Sequence, residues 1–449
     1  MSVEFRPLAS PGGFGANVVG VSPNLGAGDA VLWDNCCTQH SATPFDEERY
    51  TRLMHRTTLE GEAPLMASPP PAPYDRTTAR TGVSPMRLRA LLLVATLMSA
   101  AMPAAAADTA SKWPNYREDD FIAKNYTFAN GESLPEVKIH YRSLGTPQRD
   151  AAGNIVNAVL LLQGNTGTSA NWLRPSIADE LYGAGQPLDA AKFFIIMPDA
   201  LGRGGSSKPS DGLKAKFPHY RYADMTNLQH RLVTDGLGIK HLRLVIGSSL
   251  GGMHCWIWAE RWPDMMDGVI SLSSQPVEIS GRNWMMRRAA AEAIRHDPDY
   301  KDGSYDKQPA LYRYSAAGHY TTESPQRIQE LAPTRAAADA LYEKRLHEAE
   351  GDANDQLWAI ESIMDYNPEP DLDKIQAKFL LINDSEDVAN PPTLGTVERA
   401  MKRVKNGRYV LIPASDKNHG HFSHYYAALW KPYLVELLQS LTPIKAAAQ

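Results

Sequence analysis

The sequence predicts an α/β fold: a doubly wound, mostly parallel sheet with a helical cap inserted into it. Seven short apolar runs recur between residues 137 and 414, and continuous apolar runs of this kind suit strands buried on both faces. Amphipathic or turn-rich pieces separate them, which makes strand, helix, strand units joined by right-handed crossovers. Residues 275–373 break the rhythm with about a hundred residues of helical, Arg/Ala/Glu-rich sequence that carry no strong strand signal.

Taken in order, the strand candidates are "VKIHYRSLG" from Val137, "AVLLLQG" from Ala158, "FFIIMPD" from Phe193, "LRLVIGS" from Leu242, "GVISLSS" from Gly268, "KFLLIND" from Lys378 and "RYVLIPA" from Arg408. Before the fourth strand, "DMTNLQHRLVTDGLG" from Asp224 puts Met225, Leu228, Leu232 and Val233 on one helical face, and Gly238 suits the C-cap. The expected core is therefore 108–274 with 374–449, and the cap is 275–373.

The chain has 449 residues, 43% hydrophobic and 22% charged, with a formal net charge of -5, which is enough for one large or two ordinary domains. Without basic blocks it has no electrostatic footprint for nucleic acid. Cys36, Cys37 and Cys255 are too few, and two of them too close together, for a disulfide framework or a CxxC zinc site. No metal and no cofactor are expected.

Residues 86–107 read as a cleaved secretory signal: Arg87 and Arg89 make a positive start, residues 90–102 an apolar run, and Ala105, Ala106 and Ala107 a small-residue site before Asp108. The apolar part is shorter than the ~18–20 residues of a spanning helix, and the competing reading is an anchoring or core helix. Residues 1–85, with "SPPPAP" and no sustained period, read as disordered or as no part of the working protein, translation starting at Met86. The expected protein is periplasmic or secreted and has no stable membrane span after cleavage.

Gly247-Ser248-Ser249-Leu250-Gly251 matches GxSxG at a strand end that leads straight into a helix. Such a turn strains the backbone at the Ser and demands small neighbours, so Ser249 is the candidate nucleophile and Ser248 its minor rival. A hydroxyl needs a base, and the base needs a carboxylate to orient it. After "KFLLIN" stand Asp384, Glu386 and Asp387, and after "RYVLIPA" stand His419, His421 and His424. Asp387 and His421 are the chosen acid and base; Asp384, Glu386 and His419 compete. For the oxyanion, the backbone N–H of Leu250 and that of Asn165, in the glycine-flanked loop 164–167, are the expected donors. "GRGGSSKP" from Gly202 lacks phosphate-loop spacing and reads as an irregular loop on the rim of the site, and Cys255 as a small buried residue.

With these residues in view, the chain resembles the homoserine O-acetyltransferase branch of the α/β-hydrolase superfamily. The resemblance rests on "GSSLGGMHCWIWAERWPD", "AIRHDPDYKDGSY", "DANDQLWAIESIMD", "DVANPP" and the Gly-His pair at 420–421. It implies Ser249, Asp387 and His421 as triad, Gln163 to Gly167 as oxyanion loop, and the possibility of a homodimer through the cap.

The sequence departs from the branch in two places. Relatives follow the catalytic His with an Asp that holds the amine of homoserine, whereas Phe422 stands here and cannot pair with an ammonium. Gln163 also opens the oxyanion loop where relatives carry His. With an export signal added, the first expectation is an exported ester hydrolase acting on a small-molecule ester. The second is an O-acyltransferase, and the third a non-catalytic binding protein on the same fold.

Overall fold

The structure, a computed structural model, describes residues 57–60, 63–66, 112–165, 167–317 and 322–444. The expected signal segment, 86–107, lies outside the described residues, as does most of 1–85. Within the latter, β1 (Thr57–Glu60) and β2 (Ala63–Met66) pair antiparallel and belong to a separate unit from the main body.

The main body is built on eight strands: β3 (Arg117–Thr127), β4 (Ser133–Leu144), β5 (Ala158–Leu162), β6 (Phe194–Pro198), β7 (Leu242–Ser248), β8 (Met266–Leu272), β9 (Lys378–Asp384) and β10 (Gly407–Ile412). Their order in the sheet is β10-β9-β8-β7-β5-β6-β4-β3. The five pairs from β10 to β6 are parallel, while β4 runs antiparallel to both β6 and β3. Strand β3 has no counterpart among the seven expected runs. It is an edge strand, mostly exposed, and its polar sequence "REDDFIAKNYT" carries little apolar signal to read.

Alternate side chains explain the continuous apolar runs in the middle of the sheet. Val159, Leu161 and Ile246 pack into one core, and Leu160, Leu162 and Val245 into another on the opposite face. Every residue of β5, β6 and β7 is buried.

Helices α1 (Pro175–Leu181), α2 (Tyr222–Arg231) and α3 (Leu250–Arg261) connect the first strands. Beyond α2 the chain makes one π turn, Leu232–Gly236, and leaves it through Gly238 at φ 67°. Between β8 and β9 the chain inserts α4 (Gly281–Arg295), α5 (Tyr312–Ala317), α6 (Pro325–Leu331), α7 (Arg335–Glu348) and α8 (Ala353–Glu361). Helices α9 (Thr396–Met401) and α10 (Lys431–Ser440) complete the body. Among the described residues no helix is long and apolar enough to cross a membrane.

Within the insertion only α8 is largely buried. Its Leu357, Trp358 and Ile360 join Phe217, Tyr220 and Tyr222 in a third core, and Trp358 Nε1 donates to the Phe217 carbonyl at 3.0 Å.

Candidate active site

At the end of β7 the chain turns sharply into α3, and Ser249 is the turning residue. Its φ of 52° and ψ of -112° are conformations that an L side chain rarely adopts, at a cost of about 1–3 kcal/mol that the surrounding structure must offset. Two backbone bonds pin it: Ser249 N donates to Leu272 O at 2.9 Å, and Ser249 O accepts from Met253 N at 2.9 Å. Glycine is required around it by space. A Cβ at Gly247 would stand 2.0 Å from Gly251 O, and one at Gly251 would stand 2.1 Å from Leu162 O.

Three chain segments from different strand ends meet here. Ser249 Oγ lies 2.8 Å from His421 Nε2. His421 Nδ1 lies 2.9 and 3.1 Å from the two Asp387 oxygens. With the carboxylate accepting, Nδ1 carries the proton, and Nε2 is left as an acceptor for the Ser249 hydroxyl.

Asp387 follows β9 and is fully enclosed. Burial favours its neutral form, but the His421 ring and the hydrogen bonds from His421 and Asn390 outweigh burial and hold the carboxyl below the usual carboxylate range. Asn390 Nδ2 donates to Asp387 Oδ2 at 2.9 Å, while the backbone N–H groups of Ala389 and Asn390 donate to Oδ1 at 2.8 and 3.1 Å.

His421 stands on the turn Gly420–Tyr425 after β10, its N–H donating to Thr322 O at 3.1 Å. Gly420 is needed there, since it has φ 58° and a Cβ would lie 2.7 Å from Ser324 N. Ser273 Oγ donates to His421 O at 3.1 Å from the end of β8.

Two of the rival residues, Asp384 and His419, are engaged elsewhere. Asp384 accepts from Ser423 Oγ and from Glu386 N, and burial raises its pKa. His419 stacks on Tyr426 with ring centroids 3.7 Å apart. His424 donates from Nδ1 to His421 O at 2.6 Å, and burial takes its pKa down to about 3, so it stays neutral. Cys255 is buried, its thiol directed at Ile270 O.

Leu250 opens α3, where backbone N–H groups have no partner inside the helix. The loop after β5 lies against the elbow, for a Cβ at Gly164 would be 3.5 Å from Ser249 Cβ. Gln163 braces this loop from below: it is buried, and its Nε2 donates to Gly167 O at 3.0 Å. Asn165 is the next residue after Gly164, and its side-chain oxygen accepts from Arg203 Nη2 at 3.3 Å.

Sequence reasoning missed Asn390, Ser273, Arg203 and the α8 residue Gln356, which also accepts from Arg203. No sequence signal points to Asn390 or Ser273.

A separate cavity of about 530 Å³, lined by Glu260, Arg261, Asp365, Asp371 and Lys374 among others, includes none of these residues. Burial pushes the Glu260 carboxyl up to about 8, and its Oε1 has no hydrogen-bond partner.

The family model of the alpha/beta hydrolase fold matches residues 157–427. A probable acyltransferase of Methanothermobacter thermautotrophicus is 29% identical over 281 residues, covering 62% of this chain and 86% of that protein. A homoserine O-acetyltransferase of Haemophilus influenzae is 29% identical over 315 residues, covering 65% of this chain and 81% of its own. The crystal structure of esterase E22 superposes with a TM-score of 0.62 at 20% identity, over 72% of this chain and 100% of that one, a likeness of fold. The chain belongs to the α/β-hydrolase family, in its homoserine O-acetyltransferase-like branch.

Proposed function

We propose that this protein is a serine-dependent O-acyltransferase working through an acyl-enzyme. Ser249 Oγ attacks the acyl carbonyl of an ester or thioester while His421 Nε2 takes its proton and then returns it to the leaving group. Asp387 keeps the imidazole in the required tautomer and offsets the charge of the imidazolium. The N–H groups of Leu250 and Asn165 donate to the oxyanion of the tetrahedral intermediate. In the second half the alcohol acceptor loses its proton to His421 and attacks the acyl-enzyme, which restores Ser249.

The observation that carries this reading is the unbroken hydrogen-bond path Ser249–His421–Asp387 at a strained strand-to-helix turn. Transfer to an alcohol is supported by the names of the curated relatives, which are acyltransferases. This reverses the order expected from the sequence, where hydrolysis came first.

Hydrolysis remains the second reading on one observation, Phe422 beside the His421 ring, which leaves no acid there for an amine-bearing acceptor. Export through residues 86–107 is part of the proposal too, and N-terminal sequencing of the mature protein at Asp108 tests it.

A short acyl nitrophenyl ester tests the central reading: a stoichiometric burst of nitrophenol is expected, and Ser249→Ala is expected to abolish it. Turnover that rises with added alcohol, with the acyl ester as product, supports transfer. Turnover indifferent to alcohol, with only free acid formed, replaces transfer with hydrolysis. Full activity in Ser249→Ala overturns both.

A further inference from the structure

Strand β3 ends the eight-stranded sheet, and among the described residues β4 is the one strand beside it. It is eleven residues long, and eight of them are exposed. An edge of that length, with open N–H and C=O groups, is a template for another strand.

Which groups are open follows from the bonds on the far side of β4. Lys138 N and His140 N donate to Ser207 Oγ and Ser206 Oγ at 2.9 and 3.0 Å. Their carbonyls accept from Ser207 N and Asp199 N at 2.9 and 2.8 Å. Lys138 and His140 thus turn away from β3, and the residues between and beside them, Val137 and Ile139, bond to it. The register sets Ile139 against Phe121 and Val137 against Ala123. In an antiparallel ladder the main-chain groups alternate sides, so those of Asp120, Ile122 and Lys124 point outward from the sheet edge.

Side chains alternate as well. Phe121 and Ala123 pack into the core, which leaves Asp120, Ile122 and Lys124 together on the opposite face. Ile122 is 38% exposed, and it is the apolar residue of that row. Asn125, at φ 48°, ends the regular stretch.

The row is complementary to itself when reversed. Antiparallel pairing with a second copy, centred on Ile122, sets Ile122 against Ile122 of the partner subunit. The same pairing sets Asp120 against Lys124 of the partner subunit, and the two-fold axis makes that match twice. Every residue so paired has outward main-chain groups, so each pair exchanges backbone hydrogen bonds. Moving the axis to Phe121 or to Ala123 sets Ile122 against a charged residue instead and loses the apolar match.

Charge favours the same arrangement. Glu118, Asp119 and Asp120 make the first half of the strand acidic, while Lys124 stands at the other end. Asp120 meets His140 Nδ1 at 2.8 Å and Lys138 Nζ at 3.6 Å within the chain. Lys124 has no ion pair among the described residues.

We propose that β3 is a docking edge for a second copy of this chain, the two sheets joining into one about a two-fold axis through Ile122. This interface is separate from the helical insertion and independent of the acyl-enzyme reading.

Sedimentation equilibrium of the full chain tests it by charge reversal. Lys124→Asp sets acid against acid, and Asp120→Lys sets cation against cation, at both symmetric positions. Each variant alone is expected to weaken association by about tenfold or more and to halve the particle mass at a concentration where the unaltered protein is paired. An equimolar mixture of the two variants is expected to regain the full mass, because each then meets its opposite charge in the other. Misfolding cannot produce that rescue, and Lys124→Asp touches no ion pair within the chain.

The register has its own readout. A short bis-maleimide is expected to join Ile122→Cys to its counterpart on the axis. It is expected to leave Lys124→Cys unjoined, since two residues at 124 lie four positions apart along the strands, about 13 Å. Equal mass for the unaltered protein and both single variants overturns the proposal: one copy throughout means no association, and two copies throughout mean association through another face. A mixture that stays as small as its components, or equal joining of the two cysteine variants, overturns the pairing as well.

Discussion

The β7–α3 elbow and the helical insertion are two regions built to different tolerances. Every residue of β7 is buried, and so are nine positions of α3, with glycines where a single Cβ would strike backbone. Helices α6 and α7 of the insertion bury no residue, whereas α8 is packed into the body and α4 adds Ala291 and Ile294 to the same core. Chemistry needs atoms held to fractions of an ångström, and the elbow supplies that through backbone constraint. The insertion meets the site at two places, α8 through Gln356 and the turn before α6, where Thr322 O accepts from His421 N.

The sharpest way to break this comparison is to disturb the elbow's chemistry without its packing. Asp387→Asn preserves shape and the contact with His421 but reverses the hydrogen-bond sense at Nδ1. Steady-state ester turnover is expected to fall by about 10⁴-fold with the melting temperature little changed. A loss below about tenfold would mean that the elbow is not where the chemistry happens.

Next in size is a test of the insertion's inner and outer sides. Trp358→Ala removes a buried indole from α8 and is expected to cost about 3–5 kcal/mol in denaturant unfolding. Ala338→Ser, on the exposed face of α7, is expected to stay within about 0.5 kcal/mol. Similar costs for the two would erase the distinction.

The smallest effect sharpens the comparison at the outer end of α3. Because the folded Glu260 carboxyl, at about 8, lies above its ordinary value, its contribution to stability is complete at acid pH, below the unfolded pKa. That contribution is lost as pH rises through about 8. Glu260→Gln is therefore expected to be the more stable protein at alkaline pH, by about 1 kcal/mol after allowance for its partial exposure, and the gap should shrink at acid pH. Melting curves at the two extremes of pH check it; a gap that widens toward acid refutes the assignment.

Much of this molecule is legible one residue at a time. Strands β5, β6 and β7 announce themselves because burial on both faces favours continuous apolar runs, and the elbow because only glycine fits at 247 and 251. The polar edge strand β3 is silent for the converse reason: with one side in water, its residues need obey no apolar pattern.

Among the acids and histidines, the sequence offered several neighbours of equal chemistry within a few positions. Asp387 differs from Asp384 in the geometry of the chain after β9, which turns one carboxylate toward His421 and the other toward Ser423.

The sequence alone therefore determined seven of the eight strands of the main sheet, the turn at Ser249 and the order serine, acid, histidine along the chain, since periodicity and steric exclusion act locally along the chain. Tertiary structure alone decided which acid faces which histidine, that Asn390 and Ser273 hold them, and that Arg203 faces Asn165 and Gln356 without a carboxylate. Those contacts join residues up to 153 positions apart, and no local pattern encodes a distance through space.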